Sequence, residues 1–283
     1  MNSFNAQMNN IPVNDYLFAL QQKNLVYNSD FRYFSNQRID GNNIVYGTPD
    51  GWVYSDEGTN GQITFNPDTF QLEITKSSGY DRMSFSQALH EFPRWENELK
   101  GKTITAKVVL KIVEGGVTVT LTDGYSSNKV SRYEKGDCEI QIKLDVDKSA
   151  TSVSLSIESD VDSTSLHISS VFANVGSVAL PNLPCIVQGV IGERKQYVSA
   201  EAPPAEEFSL TEASIELDSN FSRLSSVLNG KFGMGDNGYS LLPDMRDYFN
   251  RAKDNGASGN NDGSQNGGTQ TKKITELYTI KWA

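Results

Sequence analysis

The sequence predicts a mainly β chain: an antiparallel two-layer sandwich over roughly its first two thirds, then a small unit of mixed structure. Three observations lead there. Short segments of strict apolar/polar alternation recur from residue 62 to residue 178, each bounded by turn residues. A chain of 283 residues carries 13 Phe, 12 Tyr and 3 Trp but only 37% apolar residues, a balance suited to strands with one buried face. Near the C-terminus the alternation gives way to a helical spacing, a Gly-rich turn and a polar low-complexity run.

In chain order, residues 1–24 are rich in Asn and Gln, with Val13, Tyr16, Leu17 and Leu20 at helical spacing. Two readings of that segment stand: an amphipathic anchor for another protein, or a terminus laid on its own domain. Strands are expected at Gln62–Phe65, Phe70–Thr75, Arg82–Gln87 and through Thr103–Val108. Alternation is clearest at Val117, Val119 and Leu121 against Thr118, Thr120 and Thr122. It recurs at Ile140, Ile142 and Leu144, at Val153, Leu155 and Ile157, and at Leu166 and Ile168 around His167. Evenly spaced strands with one apolar face each predict a jelly-roll sandwich over 25–180, closed by Ser170–Val178. Prolines at 181 and 184 mark its end, and 181–210 reads as a linker with short strands, stiffened by Pro203-Pro204.

The last unit, 211–283, opens with Phe221, Leu224 and Leu228 on one helical face, stopped by Asn229-Gly230. The run Gly233–Gly238, GMGDNG, satisfies GxGxxG, but a helix precedes it and Leu242-Pro243-Asp244 follows, where a dinucleotide fold needs a strand and then a helix. It reads instead as a tight turn. Residues 254–271 are nearly devoid of apolar side chains and read as a flexible loop, followed by a last strand within Ile274–Trp282.

Charge excludes several functions. A net charge of −10 and a pI near 4.8 oppose binding to nucleic acid or to anionic membranes. No apolar run is long enough to span a bilayer, and the N-terminus lacks the charged and apolar stretches of a secretory signal. Cys138 and Cys185 are far apart and form no CxxC, so neither a disulfide framework nor a zinc site is indicated. His90 begins HE-x-x-R, without the second His that a zincin requires, and no GxSxG elbow occurs. No enzyme, cofactor or metal is therefore predicted, although a carboxylate pair brought together in space is open to any Asp/Glu-rich chain.

Neutral glycans are held by aromatic faces and planar polar groups on loops. Tyr80, Arg82, Trp95, Tyr125 and Tyr133 lie in turn-rich stretches and are the expected ligand contacts, the other reading being rim packing or contacts between subunits. Trp52, after Gly51, is expected in the core.

Two resemblances extend this reading. The N-x-x-F of Asn28–Phe31, the G-x-P-x-G-W of Gly47–Trp52, and Leu99-Lys100-Gly101-Lys102-Thr103-Ile104-Thr105 before a long strand resemble galactose-binding-like modules, a jelly-roll group that includes many carbohydrate-binding modules. Such modules often hold a structural calcium ion; Asp30 and Asp56 could supply oxygens, but no clustered D-x-D-x-D loop is present. The run Phe232, Gly233, Gly235, Asp236, Gly238, Leu242, Pro243, Asp244, Arg246, Phe249 resembles the phage tail-collar family, together with the preceding Ser222–Gly233 and the final Leu277–Lys281. The resemblance covers roughly the last quarter of the chain. It implies a homotrimeric tail-fibre or tail-appendage component, assembled in the host cytoplasm and carried on the virion. Assembly would run through Phe232, Asp236, Leu242, Pro243, Asp244, Arg246 and Phe249. Its partners would be other virion proteins, met through the N-terminal segment, and host-surface glycan; the alternative is an adaptor with protein contacts alone. The histidine pair by which some collar fibres bind metal has no counterpart here, since the C-terminal region has no histidine.

Overall fold

The computed structural model describes residues 12–40, 43–58, 61–77, 79–197, 202–210, 215–245 and 277–283. Helix α1 (Val13–Leu20) leads to a short hairpin, β1 (Arg38–Asp40) and β2 (Asn43–Val45), and then to β3 (Val53–Asp56), β4 (Gly61–Asn66), β5 (Gln71–Lys76) and β6 (Met83–Ala88). Helix α2 (Trp95–Leu99) precedes β7 (Thr103–Glu114), β8 (Val117–Thr122), β9 (Ser127–Arg132), β10 (Gly136–Asp145), β11 (Ser154–Ser159) and β12 (Thr164–Val175). The C-terminal unit holds β13 (Arg194–Tyr197), β14 (Glu207–Ser209), helix α3 (Ser222–Leu228) and β15 (Leu277–Lys281).

Two five-stranded antiparallel sheets form the sandwich, in the orders β10-β7-β12-β5-β4 and β3-β6-β11-β8-β9. The alternation read from sequence is the physical basis: Val117, Val119, Leu121, Ile140, Ile142, Leu155, Ile157, Leu166 and Ile168 all point into the shared core. Trp52 is fully buried there, its ring stacked on Phe85 at 4.3 Å between centroids, and its indole N–H donates to Asn28 O at 3.3 Å. The expected segments around Leu166 and Ser170–Val178 are one strand, β12, which absorbs a register shift between Ile168 and Ser170. Strands β3 and β9 were not expected; the SNKVSR of β9 is almost wholly exposed and joins by backbone pairing to β8.

The last residues make a second core. Strands β13 and β14 flank β15, and Val187, Ile191, Leu210, Leu217, Leu224, Leu228, Leu242 and Ile280 cluster with Tyr27 from the sandwich. Helix α3 stops where the sequence says it should: Asn229 takes a left-handed conformation (φ 47°) and Gly230 follows at φ 68°. Leu242 and Pro243 are buried within this core, whereas Phe232 and Asp236 are exposed. Arg246, Phe249 and the 254–271 loop lie outside the described residues.

A buried polar joint fastens this unit to the sandwich. The Glu91 carboxylate caps α3 by accepting from the backbone N–H groups of Ser222 (2.8 Å) and Arg223 (2.9 Å) and from Ser222 Oγ. The Arg223 guanidinium, with no solvent exposure, donates to the carbonyls of Leu25 (3.0 Å) and Glu91 (3.3 Å). Burial pushes the Glu91 carboxyl upward, against the pull of Arg223 and of the hydrogen bonds from Ser222 and Arg223.

Candidate functional site

The face of the second sheet turned away from the core is made mainly of small hydroxyl side chains, with Glu158, Val53 and Lys129 among them. Strand register sets them in rows: Ser55, Ser84, Glu158, Thr118, Ser131, then Val53, Ser86, Ser156, Thr120, Lys129. All but Val53 are the polar partners in alternating strands, so the pattern that builds the core also builds this surface. Side chains bond along and across the rows, Ser156 Oγ to Glu158 at 2.8 Å and Thr118 with Ser131 at 2.8 Å. Thr120 Oγ1, near the middle, is enclosed and has no hydrogen-bond partner among the described residues.

The five expected ligand contacts fall at the two ends of this sheet. Arg82 forms an ion pair with Glu158, which holds its guanidinium protonated and above its ordinary range. Tyr133 continues the same end, its ring lying over Gly116, where any Cβ would come within 2.3 Å of Tyr133 Cδ1. Tyr80 stands on the β5–β6 loop, pinned by Lys76 Nζ donating to Asp81 O at 2.7 Å and by Gly79 N donating to Asp162 at 2.8 Å. Tyr80 and Tyr133 are 76% and 61% exposed.

Tyr125 and Trp95 lie at the opposite end, about 20 Å away along six-residue strands. Tyr125, 67% exposed, tips the β8–β9 turn. Asp123 builds that turn by accepting from the N–H groups of Tyr125 (2.9 Å), Ser126 (2.6 Å) and Asp147 (2.7 Å). Burial raises the Asp123 carboxyl, but those donors outweigh it and hold it below the usual range. Trp95 is half-buried, edge-on to His90 at 5.1 Å, with Lys100 Nζ 5.2 Å from its ring centre. Tyr80, Arg82 and Tyr133 therefore share one end of the sheet, Tyr133 about 14 Å from Arg82 across the three strand spacings between β6 and β9, and Trp95 and Tyr125 are not part of their group.

No group of three or more His, Cys, Asp or Glu is placed to hold a metal ion among the described residues. Asp30 is paired with Arg32, and Asp56 accepts from Gly58 N and Gly61 N. His90 is buried, Nδ1 accepting from Val153 N at 3.1 Å, and burial lowers its pKa. Both cysteines are free thiols. No helix among the described residues is long and apolar enough to cross a membrane.

Sequence reasoning missed Arg223, Glu91 and Asp123. Nothing local distinguishes them from exposed charges; only packing does. One signal was available: Ser222, Ser225, Ser226 and Asn229 repeat at helical spacing and face a cleft of about 470 Å³ between α3 and the sandwich.

No family model matches the chain, and no curated protein matches it. Among solved structures it is similar to the enzymatically active domain of tailspike protein 4 of Bacteriophage CBA120, with 12% identity and a TM-score of 0.40 over 54% of this chain. It spans only 21% of that tailspike chain. It is also similar to TmCBM61, solved with β-1,4-galactotriose, with 10% identity, a TM-score of 0.37, and 53% of this chain against 97% of that one. A third is the CBM22-1 xylan-binding domain of Paenibacillus barcinonensis Xyn10C, with 12% identity, a TM-score of 0.36, and 56% against 97%.

Proposed function

We propose that the chain is a structural component of a bacteriophage virion, a tail-fibre or tail-appendage protein whose sandwich attaches to host-surface glycan. The observation that carries the glycan reading is the hydroxyl-covered face of the second sheet, bordered at one end by exposed Tyr80 and Tyr133 with the Arg82–Glu158 pair between strands. Aromatic rings beside a carpet of donors and acceptors suit a sugar, whose faces are apolar and whose edges are hydroxyls. The virion reading rests on the collar-like run from Phe232 to Phe249 and implies a homotrimer. Exposed Phe232 and Asp236 are the described members of that run free to meet a neighbouring subunit, while Leu242 serves the chain's own core.

A glycan array probed with the whole protein tests the attachment role. Binding that is lost in Tyr133→Ala or Tyr80→Ala and retained in Tyr125→Ala is expected; equal binding by all three removes this face from consideration. Native mass measurement tests the trimer, and a monomer at micromolar concentration would sink it. The adaptor reading draws on α1, where Val13, Leu17 and Leu20 form an exposed apolar stripe while Ala19 is buried against Val178 and Leu180. Absence of binding to every array glycan and to host-surface extract would favour it.

A further inference from the structure

The cleft between α3 and the sandwich shares only Val53 with the two rows of the sheet face described above. One wall is the edge strand β3 with the turn before it, contributing Thr48 and Val53; the other is α3 and the Gly-rich loop, contributing Asn229, Met234 and Tyr239. Its volume of about 470 Å³ falls within the ~300–1,000 Å³ of small-ligand sites. The cleft exists because the side chains α3 turns toward it are small. Both hydroxyls are already bonded within the protein, Ser225 Oγ accepting from Ser240 N at 2.9 Å, and Ser226 Oγ donating to Arg223 O at 2.9 Å while accepting from Gly51 N of the sandwich at 3.2 Å. The buried Arg223–Glu91 joint holds the two walls at fixed spacing.

Its chemistry is selective. In a chain of net charge −10, no residue lining the cleft is charged. Hydroxyl and amide groups line it beside the apolar surfaces of Val53, Met234 and Tyr239. Three of the polar groups, Thr48 Oγ1, the Asn229 amide and the Tyr239 hydroxyl, make no hydrogen bond to other described residues. Free donors and acceptors beside an aromatic ring, without a charge, match a neutral polyhydroxylated ligand and offer nothing to pair with a carboxylate or phosphate.

We infer that this cleft is a second saccharide site, specific for a neutral sugar, whose contacts are Thr48, Asn229 and Tyr239. The ligand class rests on the carbohydrate reading above, but the location does not, and the two fail separately. The test measures binding of β-1,4-galactotriose and cello-oligosaccharides, with sialyllactose as the anionic control, to the whole protein and to conservative variants. Asn229→Gly keeps the left-handed backbone while removing the amide, and Tyr239→Phe removes only a hydroxyl. Each is expected to weaken neutral-sugar binding about tenfold with the melting temperature unchanged, as losing one ligand hydrogen bond does; sialyllactose is expected not to bind. Loss of all binding in Tyr80→Ala and Tyr133→Ala, with both cleft variants unaffected, overturns this inference and leaves the sheet face standing. Loss in the cleft variants alone supports it and removes the sheet face. A crystal soaked in galactotriose with the cleft filled by protein would also overturn it.

Discussion

Glu91→Ala is the perturbation that most directly probes how the two units are held together. The substitution strips the cap from α3, leaving the N–H groups of Ser222 and Arg223 without the carboxylate that satisfies them at 2.8 and 2.9 Å. It also leaves the fully buried Arg223 without a counter-charge. An orphaned cap costs about 1–2 kcal/mol, and a buried charge deprived of its partner about 3–5 kcal/mol. The two overlap, so about 4 kcal/mol is expected, or a fall of roughly 8–16 °C in Tm for a chain of this size. Arg223→Met removes the charge instead and leaves the carbonyls of Leu25 and Glu91 unpaired. The double variant is expected to recover at least about 1–2 kcal/mol relative to the sum of the singles, because neither charge is then left alone in the interior. Urea denaturation of the four proteins, followed by tryptophan fluorescence, measures the cycle. Additive losses, or a Glu91→Ala loss under about 1 kcal/mol, would refute the reasoning, since a solvated carboxylate behaves that way.

Other outcomes follow from the same geometry. His90 is buried and its pKa is lowered, so the folded state favours the neutral ring; that contribution is complete above the ordinary His value of about 6.5 and is lost as pH falls through the folded value. Denaturation midpoints should drop between pH 7 and pH 5, and His90→Gln should flatten that slope; an unchanged slope in the variant would assign it elsewhere. Asp123 is lowered, so its contribution is present above the ordinary Asp value of about 3.9 and disappears as pH falls through the folded value. Asp123→Ala should cost about 2–4 kcal/mol at neutral pH, from several charge-assisted bonds lost at one turn, with amide exchange accelerated at Tyr125 and Ser126. Protection retained at those two amides would contradict the turn's dependence on Asp123. Trp52→Ala should cost about 3–5 kcal/mol by opening a cavity against Phe31 and Phe85, and a loss below about 1 kcal/mol would mean that the ring is not packed as described.

The sequence by itself determined what is local. Period-two alternation at Val117–Thr122 and Ile140–Leu144 chose strand over helix and named the buried side, because a side chain's face depends only on its parity along an extended backbone. Asn229-Gly230 ended α3 for an equally local reason, the low strain of a left-handed residue there. Strand β9 carried no such signal: SNKVSR has almost nothing to bury, and pairing with β8 alone makes it a strand. Strand order was likewise decided in three dimensions, and with it the separation of Tyr80, Arg82 and Tyr133 from Trp95 and Tyr125. Each loop's end of the sheet follows from how many strand crossings precede it, which no single stretch of sequence records. Burial decided the rest. Glu91 and Arg223 read as two ordinary charges 132 positions apart, and only the packing of α3 on the sandwich removes both from water and makes each depend on the other.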